Sequence, residues 1–451
     1  MDQARTSAIS RLAERNGGRA GLAALIAILL LGVGLRTAEA WDGRPPVYDA
    51  AAYASIAANL ERGEGFTLGS EATQPASNYS PGVPLFAGGL FAITGGVHER
   101  LARLALALIG TLAVLFAYLI GRRLSGVPAG LIGAAAVAIY PALLEYQGML
   151  MGEPLAATLL SAAVLAMLWA AGPAVSARGS CRGGPPPPRH PRVRWLISGL
   201  LLGALALVRP EYIAIALPIA VVVLARRGWA GWRECAQDAL VLLVGLVVIV
   251  APWTVRNAVA LNRFVPVSTG GGQVLFAGSY MPSGGDPERV GEEVLERHPE
   301  LRKELPPDPR LELILAALAE RRYPGMETDE ALARMGRERL WDDVSGQPVD
   351  YAGFVVAKVW RIWSHGPRDV MREPAWTVFH LLLVALGLLG LIVLARQRRW
   401  EALLIGVVLL SVTATGALLV ASPRRALVTI PLVAALAGVA ADSLWQRRIR
   451  H

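Results

Sequence analysis

Ten apolar runs punctuate the chain, at about residues 20–35, 101–120, 127–145, 153–172, 195–208, 211–225, 236–253, 376–395, 401–420 and 426–444. Most approach the ~20 apolar residues that carry a helix across a bilayer, where the backbone must satisfy its own hydrogen bonds. The runs at 195–208 and 211–225 are short and flank Arg209-Pro210-Glu211, so they read as two short helices or one broken pair. The pattern predicts an all-α polytopic membrane protein with about ten transmembrane helices. Residues 1–253 form an N-terminal transmembrane module, with a polar first loop at 36–100 and a Pro/Arg linker at 173–194. Residues 254–375 form a soluble helical segment, and 376–451 the C-terminal transmembrane helices. Within the soluble segment, Glu292–Arg297, Leu311–Arg322, Glu330–Trp341 and Val349–Trp363 show amphipathic helical spacing.

Composition agrees. Of the 451 residues 54% are hydrophobic and 18% charged, against about 45–50% and about 25% in soluble domains. The net charge of +9 does not point to nucleic acid, because the arginines cluster at the ends of apolar runs and no basic stripe with interleaved aromatics occurs. With the N-terminal Arg5, Arg11, Arg15 and Arg19 placed in the cytoplasm, the other strong basic clusters between spans fall inside as well. These are Arg122-Arg123, 173–194, Arg226-Arg227 with Arg233, Arg396 with Arg398-Arg399, and the tail Arg447-Arg448 with Arg450. Both termini are thus cytoplasmic, and 36–100 and 254–375 lie outside. Ala38-Glu39-Ala40 resembles a signal-peptide cleavage site, but the preceding apolar run is long for a signal peptide. Cys181 and Cys235 give neither a disulfide framework nor zinc spacing.

Ionisable residues then stand out at the outer mouth. Asp49 begins a pattern in which Asp49, Tyr53, Ile56 and Leu60 share one helical face. It either caps helix 50–61 or faces a cavity between helices, and both can hold together. Glu153 in Gly152-Glu153-Pro154-Leu155 starts a span. It is either a solvated end-of-helix acid or a site residue, because acids retained at the membrane mark pathways or sites. Arg209 and Glu211 either neutralise each other or line a polar pocket. Arg256 either snorkels to headgroups or holds a phosphate, whose oxygens match a guanidinium in bidentate fashion. Arg424-Arg425 is basic on the outer side, against the positive-inside trend, and binding an anion is one local reason. One base with several cations suits transfer of a sugar from a polyprenyl phosphate. That reaction deprotonates an acceptor and stabilises a departing phosphate, whereas a glycosidase needs two carboxylates flanking one bond.

The run Tyr48-Asp49…Tyr53…Ala57…Leu60…Gly63…Gly65, followed by Pro81-Gly82…Pro84-Leu85, resembles the first outer loop of GT-C glycosyltransferases. The resemblance is to the family 39-like group of bacterial membrane enzymes, related to protein O-mannosyltransferases and lipid A aminoarabinose transferases. Gly152–Leu155, Leu207–Glu211, Pro252–Asn257, Asn262–Ser268, Lys358–Trp363 and Arg424-Arg425…Pro431 resemble it too, in the expected order from about residue 20 to about 445. The resemblance implies a GT-C bundle with helical outer loops and a polyprenyl-phosphate sugar as donor. It implies Asp49 as catalytic base and Glu153 as a second active-site acid. Arg256, Arg424 and Arg425 would bind the donor phosphate, and Tyr53, Tyr79, Arg209, Glu211 and Asn257 would line the substrate cavity. The aromatic that usually follows the tail arginine is replaced here by Arg425 and Ala426.

The expected function is transfer of a sugar from that donor to a glycan, lipid or protein acceptor on the extracytoplasmic face of the cell membrane, with inversion. Membrane lipid is a partner and nucleic acid is not. No cofactor is required; a divalent metal shared by Asp49 and Glu153 is left open, with no His or further acid to support it. A transporter or flippase of lipid-linked sugars is the alternative. It should show paired halves with broken helices and mid-span acids. No symmetry relates 20–225 to 236–444, and the acids sit at span ends. A membrane scaffold would not need acids and arginines gathered on one face.

Overall fold

The computed structural model describes residues 2–46, 49–69, 75–172 and 191–450. The expected linker at 173–194 lies outside the described residues up to residue 190, as do Cys181, Val47 and Tyr48. Among the described residues there is no strand beyond one isolated bridge between Thr67 and Pro75. The helices of the N-terminal part are α1 (Asp2–Asp42), α2 (Asp49–Glu61), α3 (Gly82–Thr94), α4 (Glu99–Ser125), α5 (Val127–Ala138), α6 (Pro141–Glu145), α7 (Glu153–Ala170), α8 (Pro191–Val208), α9 (Ala216–Ala225) and α10 (Trp232–Leu261). The polar segment contributes α11 (Gly271–Ser279), α12 (Val290–Arg297), α13 (Leu311–Arg322), α14 (Thr328–Gly346) and α15 (Pro348–Ser364). The chain closes with α16 (Pro374–Arg396), α17 (Trp400–Leu418), α18 (Pro423–Leu427) and α19 (Ile430–Arg450).

Every apolar run of the sequence is helical. Among the described residues, six helices are long and apolar enough to cross a membrane: residues Gly18–Asp42 of α1, then α4, α7, α10, α16 and α17. The run at 127–145 is bent by 56° between α5 and the stretch Pro141–Gly148, where Pro141 removes a backbone donor. The runs at 195–208 and 211–225 are two helical pieces, α8 and the short Pro210–Ala225, broken at Arg209. The last run lies in α19, whose face against α5 and α16 is buried. The chain is an all-α, multi-pass membrane protein.

Without a hydrophobic drive between helices in lipid, close backbone approach supplies the packing. Gly199 of α8 and Gly245 of α10 let these helices touch; a Cβ on Gly199 would stand 1.9 Å from the Leu242 carbonyl oxygen. Gly390 of α16 does the same against Leu436 of α19, at 2.0 Å. The polar segment has its own apolar core, in which Phe276, Tyr280, Val294, Leu315, Leu318 and Leu332 are buried. Amphipathic α15 buries Phe354, Lys358 and Ile362, at fourfold spacing, against the rest.

The bundle has two chemically different ends. At one, Arg123 donates to the Gly172 carbonyl, Arg194 to Trp169, and Arg399 to Leu124 and Glu401. These contacts gather the basic helix ends together. The opposite end carries α2, α3, the polar segment and the acids singled out above.

Candidate active site

Four chain segments meet at that opposite end. Asp49 opens α2, Glu153 opens α7, Arg209 follows α8, and Arg424 lies in short α18. Local sequence explains how they approach. Pro154 stands in the first turn of α7, where its missing donor costs nothing. Gly82 and Gly152 both face Val208: a Cβ on Gly82 would lie 2.5 Å from the Val208 side chain and 2.9 Å from its Cα. The glycines of the Pro81-Gly82 and Gly152-Glu153 motifs therefore seat the end of α8, which sets the position of Arg209.

Glu153 is fully buried. Its Oε1 accepts from Arg209 Nη2 at 2.5 Å and from Arg424 Nε at 2.7 Å. It is thus not a solvated end-of-helix acid. Arg424 Nη2 also donates to Asp49 Oδ2, 3.1 Å away. One guanidinium bridges two carboxylates that are 104 residues apart in sequence (153 minus 49). The Asp49 side chain is 42% exposed, and only its Oδ2 takes part in this bond. Arg209 and Glu211 do face each other at 3.7 Å, but each has a further partner, Glu153 for the arginine and Arg425, also 3.7 Å away, for the acid. Tyr212 Oη donates to the Arg425 carbonyl at 3.0 Å and pins α18 to the segment after α8.

The remaining expected residues fall around this cluster. Tyr53, one turn after Asp49, packs edge-on against Tyr79 with centroids 6.1 Å apart. Burial and the Asp49 carboxylate push the Tyr53 phenol well above its ordinary range, so it stays a donor. Arg256 stands apart from the ion cluster. Its guanidinium lies over the rings of Trp253 and Phe66, at 4.9 and 5.4 Å, and among the described residues it forms no salt bridge. Asn257 is buried and donates to the carbonyls of Val265 and Val267. Its amide ties down the turn after α10, which is structural work.

Five participants were not among the candidates read from the sequence. Glu145 accepts from Arg44 at 2.5 Å and from Arg368 at 2.7 Å. Tyr146 lies between the two clusters, with Arg368 and Arg424 over its ring at 5.7 and 5.8 Å. Lys358 is buried, donates to the Gly278 carbonyl at 2.6 Å, and neighbours Arg425. Burial, with Arg425 nearby, pushes its ammonium down to about 8. Its position on the buried stripe of α15 was readable; that it lies near Arg425 was not. Across both clusters, Arg44, Arg209, Lys358, Arg368, Arg424 and Arg425 face Asp49, Glu145, Glu153 and Glu211. Glu39 also lies 3.9 Å from Arg44, so six cations meet five carboxylates across the two clusters.

Of Asp49 and Glu153, the latter keeps one buried oxygen, Oε2, with no hydrogen-bond partner among the described residues. Both carboxylates already share Arg424, and Glu153 Oε1 serves a second guanidinium. Among the described residues no three His, Cys, Asp or Glu side chains converge on a common point.

No protein-family model matches the sequence, and neither does any curated protein. The structure is similar to that of the oligosaccharyltransferase AglB from Archaeoglobus fulgidus, solved with an inhibitory peptide and a dolichol-phosphate. The TM-score is 0.55 at 16% identity, covering 95% of this chain and 50% of that one. The apo form of the same enzyme gives 0.55 and 16%, covering 95% and 51%. The chain shares its fold with the matched half of the archaeal protein. It spans about half the length of the archaeal protein. ArnT from Cupriavidus metallidurans bound to undecaprenyl phosphate gives a TM-score of 0.40 at 16% identity, covering 93% of this chain and 77% of that one.

Proposed function

We propose that the protein transfers a sugar from a polyprenyl-phosphate donor to an acceptor hydroxyl or amine on the extracytoplasmic face of the membrane. The observation that carries this reading is a half-exposed carboxylate, Asp49, fixed by Arg424 inside a cluster that also holds Arg209 and Arg425. A base beside several guanidiniums at a membrane surface is what attack on a lipid phosphate sugar needs. The shared fold supports the donor class, because AglB has been solved with dolichol-phosphate.

The acceptor oxygen or nitrogen attacks the anomeric carbon from the face opposite the phosphate, so configuration inverts. The bond from that carbon to the phosphate oxygen breaks, and its electron pair stays on the polyprenyl phosphate. The acceptor proton passes to Asp49. Arg424 is held by two acids, so the leaving phosphate falls to Arg425 and to Arg256, which has no acid partner among the described residues. Glu153 acts through Arg209 and Arg424, fixing both. Tyr53 and Tyr79 line the acceptor side of Asp49. The positive-inside trend puts the basic end of the bundle in the cytoplasm and this site outside.

The test is sugar transfer by purified protein in nanodiscs, offered a panel of polyprenyl-phosphate sugars, wild type beside Asp49→Asn. Wild type should consume one donor, and the variant should be slower by about 10²–10⁴-fold, the usual weight of a general base. Equal rates in the two folded proteins would remove Asp49 from the chemistry. Donor binding without turnover in either, together with donor movement across liposomes, would favour a carrier of lipid-linked sugars.

A further inference from the structure

Away from the ion cluster, the polar segment contains a cavity of about 610 Å³, within the ~300–1,000 Å³ typical of ligand sites. It lies between α11, the stretch after α12, α13 and α14. Three arginines and four carboxylates line it, together with Phe276 and Tyr280. Three of these charges, Glu300, Arg321 and Glu338, are already answered. Glu338 accepts from the Tyr323 hydroxyl at 2.7 Å and from Arg334 at 3.0 Å, and Glu300 faces Arg321 at 3.7 Å.

Two atoms are not. Arg339 Nε and Asp343 Oδ2 are both buried and without a hydrogen-bond partner among the described residues. They sit four residues apart on α14, so they share a face one turn apart. The Arg339 guanidinium is held over the Tyr280 ring at 4.3 Å, which fixes its plane. A donor and an acceptor set one helical turn apart, both unanswered, match neighbouring hydroxyls on one ring, since a hydroxyl accepts and donates at once. Buried polar atoms of this kind call for a partner. The near balance of charge disfavours a phosphate or carboxylate ligand. We infer that this cavity is a binding site for a neutral oligosaccharide, with Arg339 and Asp343 gripping adjacent hydroxyls of one sugar.

The cavity is joined to the ion cluster through the backbone. Tyr280 lies two residues after Gly278, whose carbonyl holds Lys358 and whose Cα packs on Leu419. Val420 packs against the same core, and four residues later comes Arg424. A chain of contacts thus runs from the cavity wall to Arg424, which holds Asp49. The glycan's role as acceptor rests on the transferase reading; its binding does not.

The experiment measures binding alone, without donor. Full-length protein in nanodiscs is titrated with neutral trisaccharides of mannose, glucose, galactose and N-acetylglucosamine, followed by saturation-transfer NMR. Inorganic phosphate serves as the charged control. At least one trisaccharide should bind saturably. Arg339→Lys and Asp343→Asn, with unchanged thermal unfolding, should each weaken it about tenfold or more, the effect of losing a charge-assisted hydrogen bond. Asp49→Asn should bind as wild type does, which separates failure of this site from failure of the reaction. No saturable binding by any trisaccharide, equal binding by both cavity variants, or phosphate bound more tightly than every sugar would overturn the inference.

Discussion

Replacing Glu153 with alanine tests the core of the site most sharply. The carboxylate is wholly buried and answers two guanidiniums at once. Removing one partner of a buried ion pair costs about 3–5 kcal/mol, because an uncompensated charge stays behind. Here each arginine keeps a second acid, Glu211 at 3.7 Å from Arg209 and Asp49 at 3.1 Å from Arg424. That places the cost near the lower end, about 3 kcal/mol. Glu153→Gln keeps an acceptor oxygen and the volume, and should lose about half as much. With an unfolding entropy near 2.1 cal/mol/K per residue, a chain of this length loses about 1 °C of Tm per kcal/mol, so about 3 °C for alanine. Intrinsic fluorescence during thermal unfolding in detergent reads this. The decisive control is the cycle with Arg424→Ala. The double variant should be less destabilised than the sum of the single ones by about 1–3 kcal/mol. Strict additivity would mean that Glu153 and Arg424 do not meet, and the site described here would be wrong.

Two further outcomes follow from the packing. The lowered pKa of Lys358 means that its charge opposes folding, so stability should rise as pH increases from about 8 toward the 10.5 of an unfolded lysine. Lys358→Met should abolish that rise, and a pH-independent gap between the two proteins in thermal unfolding would contradict the burial of the ammonium. Gly390→Val should cost about 1–3 kcal/mol, because its new Cβ meets the Leu436 backbone, which cannot turn aside as a side chain would. Gly89→Ala, where a Cβ meets open space, is the control and should leave unfolding unchanged.

The sequence by itself determined the solvent and the secondary structure. Hydropathy is a sum over neighbouring residues, and a helix satisfies its backbone within one segment, so the ten apolar runs could be read as helices one at a time. The arginines at their ends sorted the bundle into a basic end and an end bearing acids. The motif residues also named most of the cluster: Asp49, Glu153, Arg209, Glu211, Arg424 and Arg425. What they do to one another was not legible. Arg424 meets Glu153 across 271 positions and Asp49 across 375, and no local pattern encodes a contact of that range. Only the packing of α2, α7, α8 and α18 decided that Glu153 is buried beneath two arginines while Asp49 keeps an open face. The same packing set Arg256 apart on two aromatic rings and gave Asn257 to a turn. It also brought in Arg44, Tyr146, Lys358 and Arg368, and left Arg339 and Asp343 unanswered in a cavity. Ion pairing and burial depend on distances between helices, which tertiary structure alone supplies.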